Sequence, residues 1–551
     1  MENSKIVKLL KWVLPALAAA LFVYYPITDS DIFWHLVSGR EMVAQKTFFN
    51  TDPFSYTTPE TTTWINLHWL FQTVMFGVYS SGGLSGLLVI KAAILFLCTI
   101  ILFRSVKRRK FPILELSVFL IALYIFRYLV PMRPVLFTLL FISLFFYLLE
   151  RFCRTAKPVN LLLLLPLQIL WTNSQGLYWL GPVLCGCFFF GEIINSVLSV
   201  KAHDLFSYKP VPGKKQMLFF AVILMLLPAV SVINPYGTDG LLFPFRLFLQ
   251  INPSMKNIYS ANIIENTPLL SMTGTRYTGY VVTFLLITAS AVLSLAFSPG
   301  WIRFSHLFCV ICFTIPAYMA QRNLILYLFV LVPLVLWNTD HISLKPVMKS
   351  RKAYKIVMII FVFLPVFCLI QHLRLLQSCS GNIAPFTHPV NSAEYLVRNS
   401  VEGNVFNADR YGGYLLWKLY PDKKVFIDTR LSLRSREFFA EYLAIVDYPA
   451  LFAPTAQKFN ITQVVLPLAT VDRYKELIKM LHNDKNWALA WTDGAEVLFI
   501  ADSLCGSEID LSRKGVVDSI EKTIVKRMPD RKLSDEGLFY FKKFLSDIDT
   551  K

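Results

Sequence analysis

The 551-residue chain is 55% hydrophobic and only 16% charged, with a formal net charge of +18. Soluble globular proteins are about one-quarter charged, and here the mean hydropathy is +0.52. That balance excludes a soluble cytosolic enzyme, a disordered chain and a small disulfide scaffold, and reads as a polytopic membrane protein.

Residues 1–375 hold 31 basic and 13 acidic side chains, whereas 376–551 hold 23 of each. The excess positive charge therefore belongs to the apolar part, in short groups between apolar runs. A nucleic-acid partner is not expected, since such proteins gather basic residues on one face with interleaved aromatics. Eleven apolar runs suit helices that cross hydrocarbon, which takes about 20 residues: 6–27, 84–103, 111–130, 135–149, 159–171, 177–200, 217–232, 280–297, 304–319, 324–337 and 356–370.

Lys5, Lys8 and Lys11, the groups at 104–110, 151–157 and 201–215, Arg303, and the group at 345–355 fall in alternate loops. Retention of Lys and Arg makes that side cytoplasmic. The N-terminus is then inside, and an odd number of spans sends 379–551 outside. The start reads as a retained first helix, because no small-residue cleavage site follows it. Most of the nine cysteines fall in apolar runs, where they pack as small hydrophobes. Cys309 and Cys312 lack partners for a metal, and a Cys379–Cys505 disulfide stays open.

Two outward loops, 28–67 and 234–279, are long enough to carry function. The first predicts an amphipathic helix over 31–45 that lies along the membrane face, with Asp31, His35 and Ser38 on one side. Carboxylates beside a hydrophobic span are expensive to desolvate and often mark a site, yet Asp29, Ser30 and Asp31 are also good helix N-caps. Asp52 opens a turn into an extended segment, followed by Trp64, Asn66, His68 and Trp69. Aromatic faces and carboxylates in one loop suit a sugar, as paired carboxylates do in glycoside chemistry. An interfacial aromatic belt accounts equally for Trp64 and Trp69. The second loop, with Arg246, Lys256 and Glu265, forms either a lid over an acceptor or a surface crossing.

Residues 379–506 read as an α/β domain, with strands at 404–407, 424–427, 462–466, 488–491 and 497–500 and helices near 414–419, 437–445 and 472–481. Tyr411-Gly412-Gly413-Tyr414 lacks dinucleotide-loop spacing, so its glycines are read as allowing close backbone approach. Asp409, Arg410, Asp428 and Arg430 either touch the acceptor or, as the favoured reading, form internal ion pairs. Residues 507–551 read as a charged helical tail.

The segment Asp29–Arg40, then Thr51-Asp52-Pro53-Phe54-Ser55-Tyr56-Thr57 and Trp64-x-Asn66-x-His68-Trp69-Leu70, resembles the GT-C superfamily. It is most similar to bacterial membrane proteins grouped with protein O-mannosyltransferase-like and aminoarabinose-transferase-like glycosyltransferases. The stretches at 404–407, 411–415 and 425–430 resemble the C-terminal region of that group. The resemblance implies a GT-C-like bundle of about 8 to 14 helices, which the eleven apolar runs over 1–375 fit as about eleven transmembrane helices, with horizontal helices in the first outward loop and an extracytoplasmic α/β domain. It also implies a glycosyltransferase of the bacterial inner membrane, whose partners are the lipid bilayer, a polyprenyl-phosphate sugar donor and an extracytoplasmic acceptor.

By position after the first span, Asp29 or Asp31 matches the acidic motif and is expected to act as general base. His35, Asp52, Trp64, His68 and Trp69 are expected to hold substrate. Arg133 and Arg322, with Arg127 behind them, are expected near the donor phosphate, since guanidinium forks bind phosphate bidentately. Interfacial arginines also snorkel to headgroups. No cofactor is expected and no zinc spacing is present. Two other readings stay open: a catalytically silent GT-C-like scaffold that binds envelope partners, and a transporter of lipid-linked substrate.

Overall fold

The computed structural model describes residues 2–106, 113–202, 205–251, 258–342, 351–377, 379, 381–469, 473–527 and 531–549. The basic groups at 107–110 and 345–349, and Lys256, lie outside the described residues. The chain folds as two compact units, one of residues 1–25, 67–71 and 86–374, the other of 26–66, 72–85 and 375–551.

The first unit is helical. Among the described residues six helices are long and apolar enough to cross a membrane: Trp69–Ser105, Val135–Thr155, Gly176–Lys201, Thr278–Ala296, Gln321–His341 and Lys355–Gln377. Three shorter apolar helices are Trp12–Val23, Val159–Thr172 and Phe304–Met319. Eleven runs thus do not give eleven full-length spans. Among the described residues the run at 111–130 forms the 14-residue helix Ile113–Phe126 before a tight turn, about 21 Å at 1.5 Å per residue against about 30 Å of hydrocarbon. Conversely, Trp69–Ser105 has 37 residues and is broken at Gly83 (φ 59°). Its segment 72–85 belongs to the second unit.

Helix Leu324–His341 is buried along most of its length and packs on Phe304–Met319, which also crosses Leu180–Lys201. Gly191 sets that crossing: a Cβ there would stand 2.2 Å from the Ser305 backbone nitrogen, the close approach that small residues give to membrane helices. A buried ionic network reinforces it. Arg303 donates to both Glu150 oxygens (2.7 and 2.8 Å) and to Glu192 (3.1 Å), and His306 Nε2 lies 2.6 Å from Glu150. Arg303 is therefore a core residue rather than a loop charge. Lys91 is also buried, its ammonium 3.7 Å from the Tyr25 ring centre.

The second unit holds a four-stranded sheet: β1 (Asn404–Asn407), β2 (Ile461–Pro467), β3 (Trp487–Thr492) and β4 (Glu496–Ala501), in the order β1-β2-β4-β3. β1 runs parallel to β2, with Asn407 opposite Val465, and the other pairs are antiparallel. All four strands are largely buried, as a sheet covered on both faces requires. Helices Val390–Asn399, Gly412–Leu419, Arg436–Asp447, Phe452–Lys458 and Lys475–Asn483 accompany the sheet.

The expected strand at 424–427 is not a ladder strand. Val425 makes single bridges to Ser55 and Val405, donating its N–H to Phe54 and accepting from Tyr56, so first-loop backbone takes the place of a neighbouring strand. The tail forms Lys514–Arg527 and Arg531–Asp549, packed on each other. Cys505 carries a free thiol, so it forms no disulfide with Cys379.

Candidate functional site

Helix Asp31–Gln45 forms at the expected residues, but it is not a surface helix. Residues 32–39 are all buried, the pattern of a helix enclosed on every side. Two glycines explain how it is enclosed. A Cβ at Gly39 would meet the Gln72 carbonyl oxygen at 2.3 Å, and one at Gly413 would meet that of Ser30 at 2.5 Å. Gly412 is equally constrained, with the Ile427 carbonyl oxygen at 2.1 Å from a Cβ there. The Tyr411–Tyr414 glycines thus seat helix Gly412–Leu419 against the start of the acidic helix.

That contact brings the acidic motif to residues far along the chain. Asp31, partly exposed, accepts a short hydrogen bond from Thr429 Oγ1. Asp29 accepts from the Asp31 backbone N–H at 3.3 Å, whereas the Ser30 side chain makes no capping bond. His388 is buried within electrostatic reach of Asp29 and Arg410, and its Nδ1 lies 2.6 Å from Thr387 Oγ1. Burial, together with Arg410, brings its imidazole down to about 4 against the pull of Asp29, so the ring is neutral at physiological pH.

The neighbouring anchor is Arg430. Its Nε and Nη2 grip Asp428 as a fork (3.0 and 2.6 Å), and its Nη1 lies 2.8 Å from Asp52. The guanidinium carbon sits 4.8 Å from the Trp64 ring centre and 5.1 Å from that of Phe54. Asp52 also accepts from the Phe54 N–H (3.0 Å) and Thr58 Oγ1 (2.9 Å). Burial alone would raise the Asp52 carboxyl, but Arg430, the Phe54 N–H, Arg434 and Thr58 outweigh it and hold the group below its ordinary value. Trp64 stacks on Phe49 at 5.5 Å. His35 stacks on Trp34, and its Nδ1 lies 3.2 Å from the Gln72 amide nitrogen, which also bonds Asn66.

The expected substrate residues therefore divide. Asp29, Asp31, His35, Asp52 and Trp64 belong to the second unit, with Asp52 and Trp64 buried around Arg430. His68 and Trp69 belong to the first, bonded to Gln175 (3.2 Å) and Asn173 (2.8 Å). Arg133 also lies in the first unit, in an ion pair with Glu265 at 2.9 Å. Arg322 is exposed and within electrostatic reach of both Glu265 and Arg133. The turns that carry Glu265 and Arg322 pack together, with Gln321 N–H donating to Thr267. Arg133 thus pairs with Glu265, and Arg322 lies in the field of both. Arg127 instead lies over Tyr124 and Tyr128.

Thr429 and His388 are the site residues that sequence reasoning did not assign, and only Thr429 carried a signal, as part of the C-terminal resemblance; Arg430 forms the expected internal ion pairs, whereas Arg410 forms none among the described residues. Among the described residues no three His, Cys, Asp or Glu side chains are arranged to hold a metal ion.

No family model matches the chain, and no curated protein matches it significantly. Solved structures do match its fold. Archaeal oligosaccharyltransferase AglB from Archaeoglobus fulgidus, in complex with an inhibitory peptide and a dolichol-phosphate, superposes with a TM-score of 0.52 at 11% identity, over 88% of this chain and 73% of that one. The apo form of the Archaeoglobus fulgidus enzyme gives 0.51 at 11% identity over 85% and 71%. The form tethered to an acceptor peptide containing the NVT sequon gives 0.52 at 12% over 88% and 72%. At such identities the likeness shows the fold alone, and the fold is shared with the Archaeoglobus fulgidus oligosaccharyltransferase.

Proposed function

We propose that this protein is a multi-pass membrane glycosyltransferase that moves a sugar from a polyprenyl-phosphate donor to an extracytoplasmic acceptor, with a first-loop aspartate as general base. The observation that carries this reading is the assembly of Asp29 and Asp31 with Thr429 and His388 in one compact unit. Asp31 stands at the first turn of a helix held by glycine contacts on two sides, and preorganisation of that kind lets a base act without rearranging.

In the proposed reaction Asp31 takes the proton of an acceptor hydroxyl as the hydroxyl oxygen attacks the sugar C1, and the C1–O bond to the lipid phosphate breaks with its electron pair on the phosphate. Thr429 holds the Asp31 carboxylate in place, and Asp29 fixes the backbone at the helix start. Within the first unit taken by itself, Arg133 and Arg322 carry one more positive charge than Glu265 balances, which suits an anionic group such as a phosphate. The solved neighbour bound to a dolichol-phosphate and a peptide supports a lipid-linked donor and a separate acceptor.

Topology supports an outward site. Alternation of loop charge puts 28–67 and 379–551 on the same side, and these segments share the second unit. The N-terminus is then cytoplasmic, and the family resemblance favours a bacterial inner membrane.

The test is transfer by purified protein from a panel of polyprenyl-phosphate sugars, wild type beside Asp31→Asn and Asp29→Asn. Loss of a general base lowers turnover by roughly 10²–10⁴-fold, and that loss is expected for Asp31→Asn with folding and donor binding kept. Equal turnover in all three proteins removes the assigned base.

A further inference from the structure

Arg430 and Arg410 occupy contrasting positions in the second unit. Arg430 presents the Nε–Nη2 edge of its guanidinium to Asp428 in a two-point grip. In Arg410 the same two nitrogens are buried and have no hydrogen-bond partner among the described residues. A buried cationic donor left unsatisfied is costly, and such groups are rare enough to need an explanation.

Several nearby acids are already engaged. Asp409 accepts from the Arg410 backbone N–H (2.8 Å) and from Tyr474 (3.3 Å). Asp428 is held by Arg430, and Asp31 by Thr429. Asp493 takes the Ala495 and Glu496 N–H groups, and Glu496 takes that of Asn391. The Arg410 side chain forms no ion pair among the described residues, its guanidinium carbon lying 5.4 Å from the Tyr411 ring centre. Its backbone is fixed, because Gly412 and Gly413, which follow directly, are wedged against Ile427 and Ser30. Gly413, three residues on, meets Ser30 of the acidic motif, and His388 lies within electrostatic reach of both Arg410 and Asp29.

We infer that Arg410 is an oxyanion-binding residue of the Asp29–Asp31 site, taking a phosphate or carboxylate group of a substrate on its Nε–Nη2 edge. A planar fork with two free donors matches two oxygens of either group. The inference rests on the functional reading above for the word substrate, but not for the binding itself. The two sources of the oxyanion are the lipid phosphate of the donor and a carboxylate on the acceptor.

The experiment is thermal unfolding of the full-length protein in detergent with inorganic phosphate, undecaprenyl phosphate or D-glucuronate, for wild type, Arg410→Gln and Arg410→Lys. It is repeated in an Arg133→Gln background, so that a second oxyanion site does not mask the first. A ligand that binds the native state raises the midpoint. At least one probe is expected to do so in wild type, and Arg410→Gln is expected to weaken that protection roughly ten- to hundredfold without lowering the ligand-free midpoint. Arg410→Lys recovers little, because a point charge lacks the two-donor edge.

Protection by undecaprenyl phosphate alone assigns the donor, and protection by glucuronate alone assigns the acceptor. The inference is overturned if no probe protects wild type, if Arg410→Gln is protected equally, or if its ligand-free midpoint drops, which marks a structural cation. If Arg410→Gln does not fold, Arg410→Lys decides, and full protection there overturns the inference. Arg410-dependent protection in a protein that transfers no sugar sinks the transferase reading and leaves this one standing.

Discussion

Arg430, Asp428 and Asp52 form a buried triad with side chains no more than 3% exposed. Removing one partner of such a pair leaves an uncompensated buried charge, typically at 3–5 kcal/mol. Arg430→Met is expected to lower the unfolding midpoint sharply, and a melting curve within a degree or two of wild type would refute the anchoring role. Two carboxyls respond to pH in opposite senses. Asp52 is held below its ordinary value, so its contribution is complete above that value and is lost as pH falls through the lowered one. Glu496 is pushed up to about 8 by burial and by Asp493, so the folded state keeps a proton that the unfolded chain releases above about 4.3. Its effect is a fall in stability as pH rises between those values, by a few kcal/mol. Glu496→Gln is expected to flatten the stability profile from pH 5 to 8 and to melt higher than wild type at pH 8. Parallel profiles would disprove it. At this scale the sequence was legible where chemistry is local. Asp31 and His35 sit one turn apart on one helix with Asp29 just before it, whereas no periodicity shows that Asp52 meets Arg430 or that Thr429 meets Asp31.

Glycines decide how the elements approach. At Gly413 an added methyl would meet the Ser30 backbone oxygen at 2.5 Å, and backbone yields less easily than a side chain. Gly413→Ala is expected to cost about 1–3 kcal/mol, as overpacking does, and to lower turnover by shifting Asp31. Gly77, inside helix Trp69–Ser105, has nothing within 4 Å of an added Cβ, so Gly77→Ala is expected to be neutral or to stabilise by up to about 1 kcal/mol. Equal melting of the two variants would refute the packing argument. The helix at 31–45 was legible from its pattern, but its environment was not: Phe33, Trp34, Leu36 and Val37 are apolar enough for a lipid interface or for a protein interior. The strand pattern at 424–427 is genuine in composition, and it misleads only because Val425 finds single bridges instead of a ladder. Apolar runs likewise locate helices without fixing their length, which capping and breaks such as Gly83 decide.

For the whole molecule, the charge balance separated an apolar, basic part from a neutral one, and that division reflects two solvents. The folded division is different. The second unit draws on 26–66 and 72–85 as well as 375–551, a partition that composition alone does not reveal. Cys505 is partly exposed and free, and it tests the outward placement directly. A membrane-impermeant maleimide is expected to label it in sealed right-side-out vesicles without prior reduction. Cys312, exposed on the apolar helix Phe304–Met319 beside the exposed Ile311 and Ile315, is expected to stay unlabelled, as a thiol facing hydrocarbon would. Labelling of Cys505 only in inverted vesicles would reverse the topology.

The discontinuity of the second unit also has a cost during biosynthesis. Asp52 leaves the ribosome about 380 residues before Arg430, which at about 5–20 residues per second is a delay of roughly 20–75 s. Throughout that interval the first loop has neither its cation nor the backbone of Val425, and its aromatic residues are uncovered on the side to which it has been delivered. A nascent chain interrupted before residue 430 therefore carries a loop that cannot close, so truncated products present an open, sticky segment to the folding helpers and proteases of that compartment, while only full-length chains conceal it.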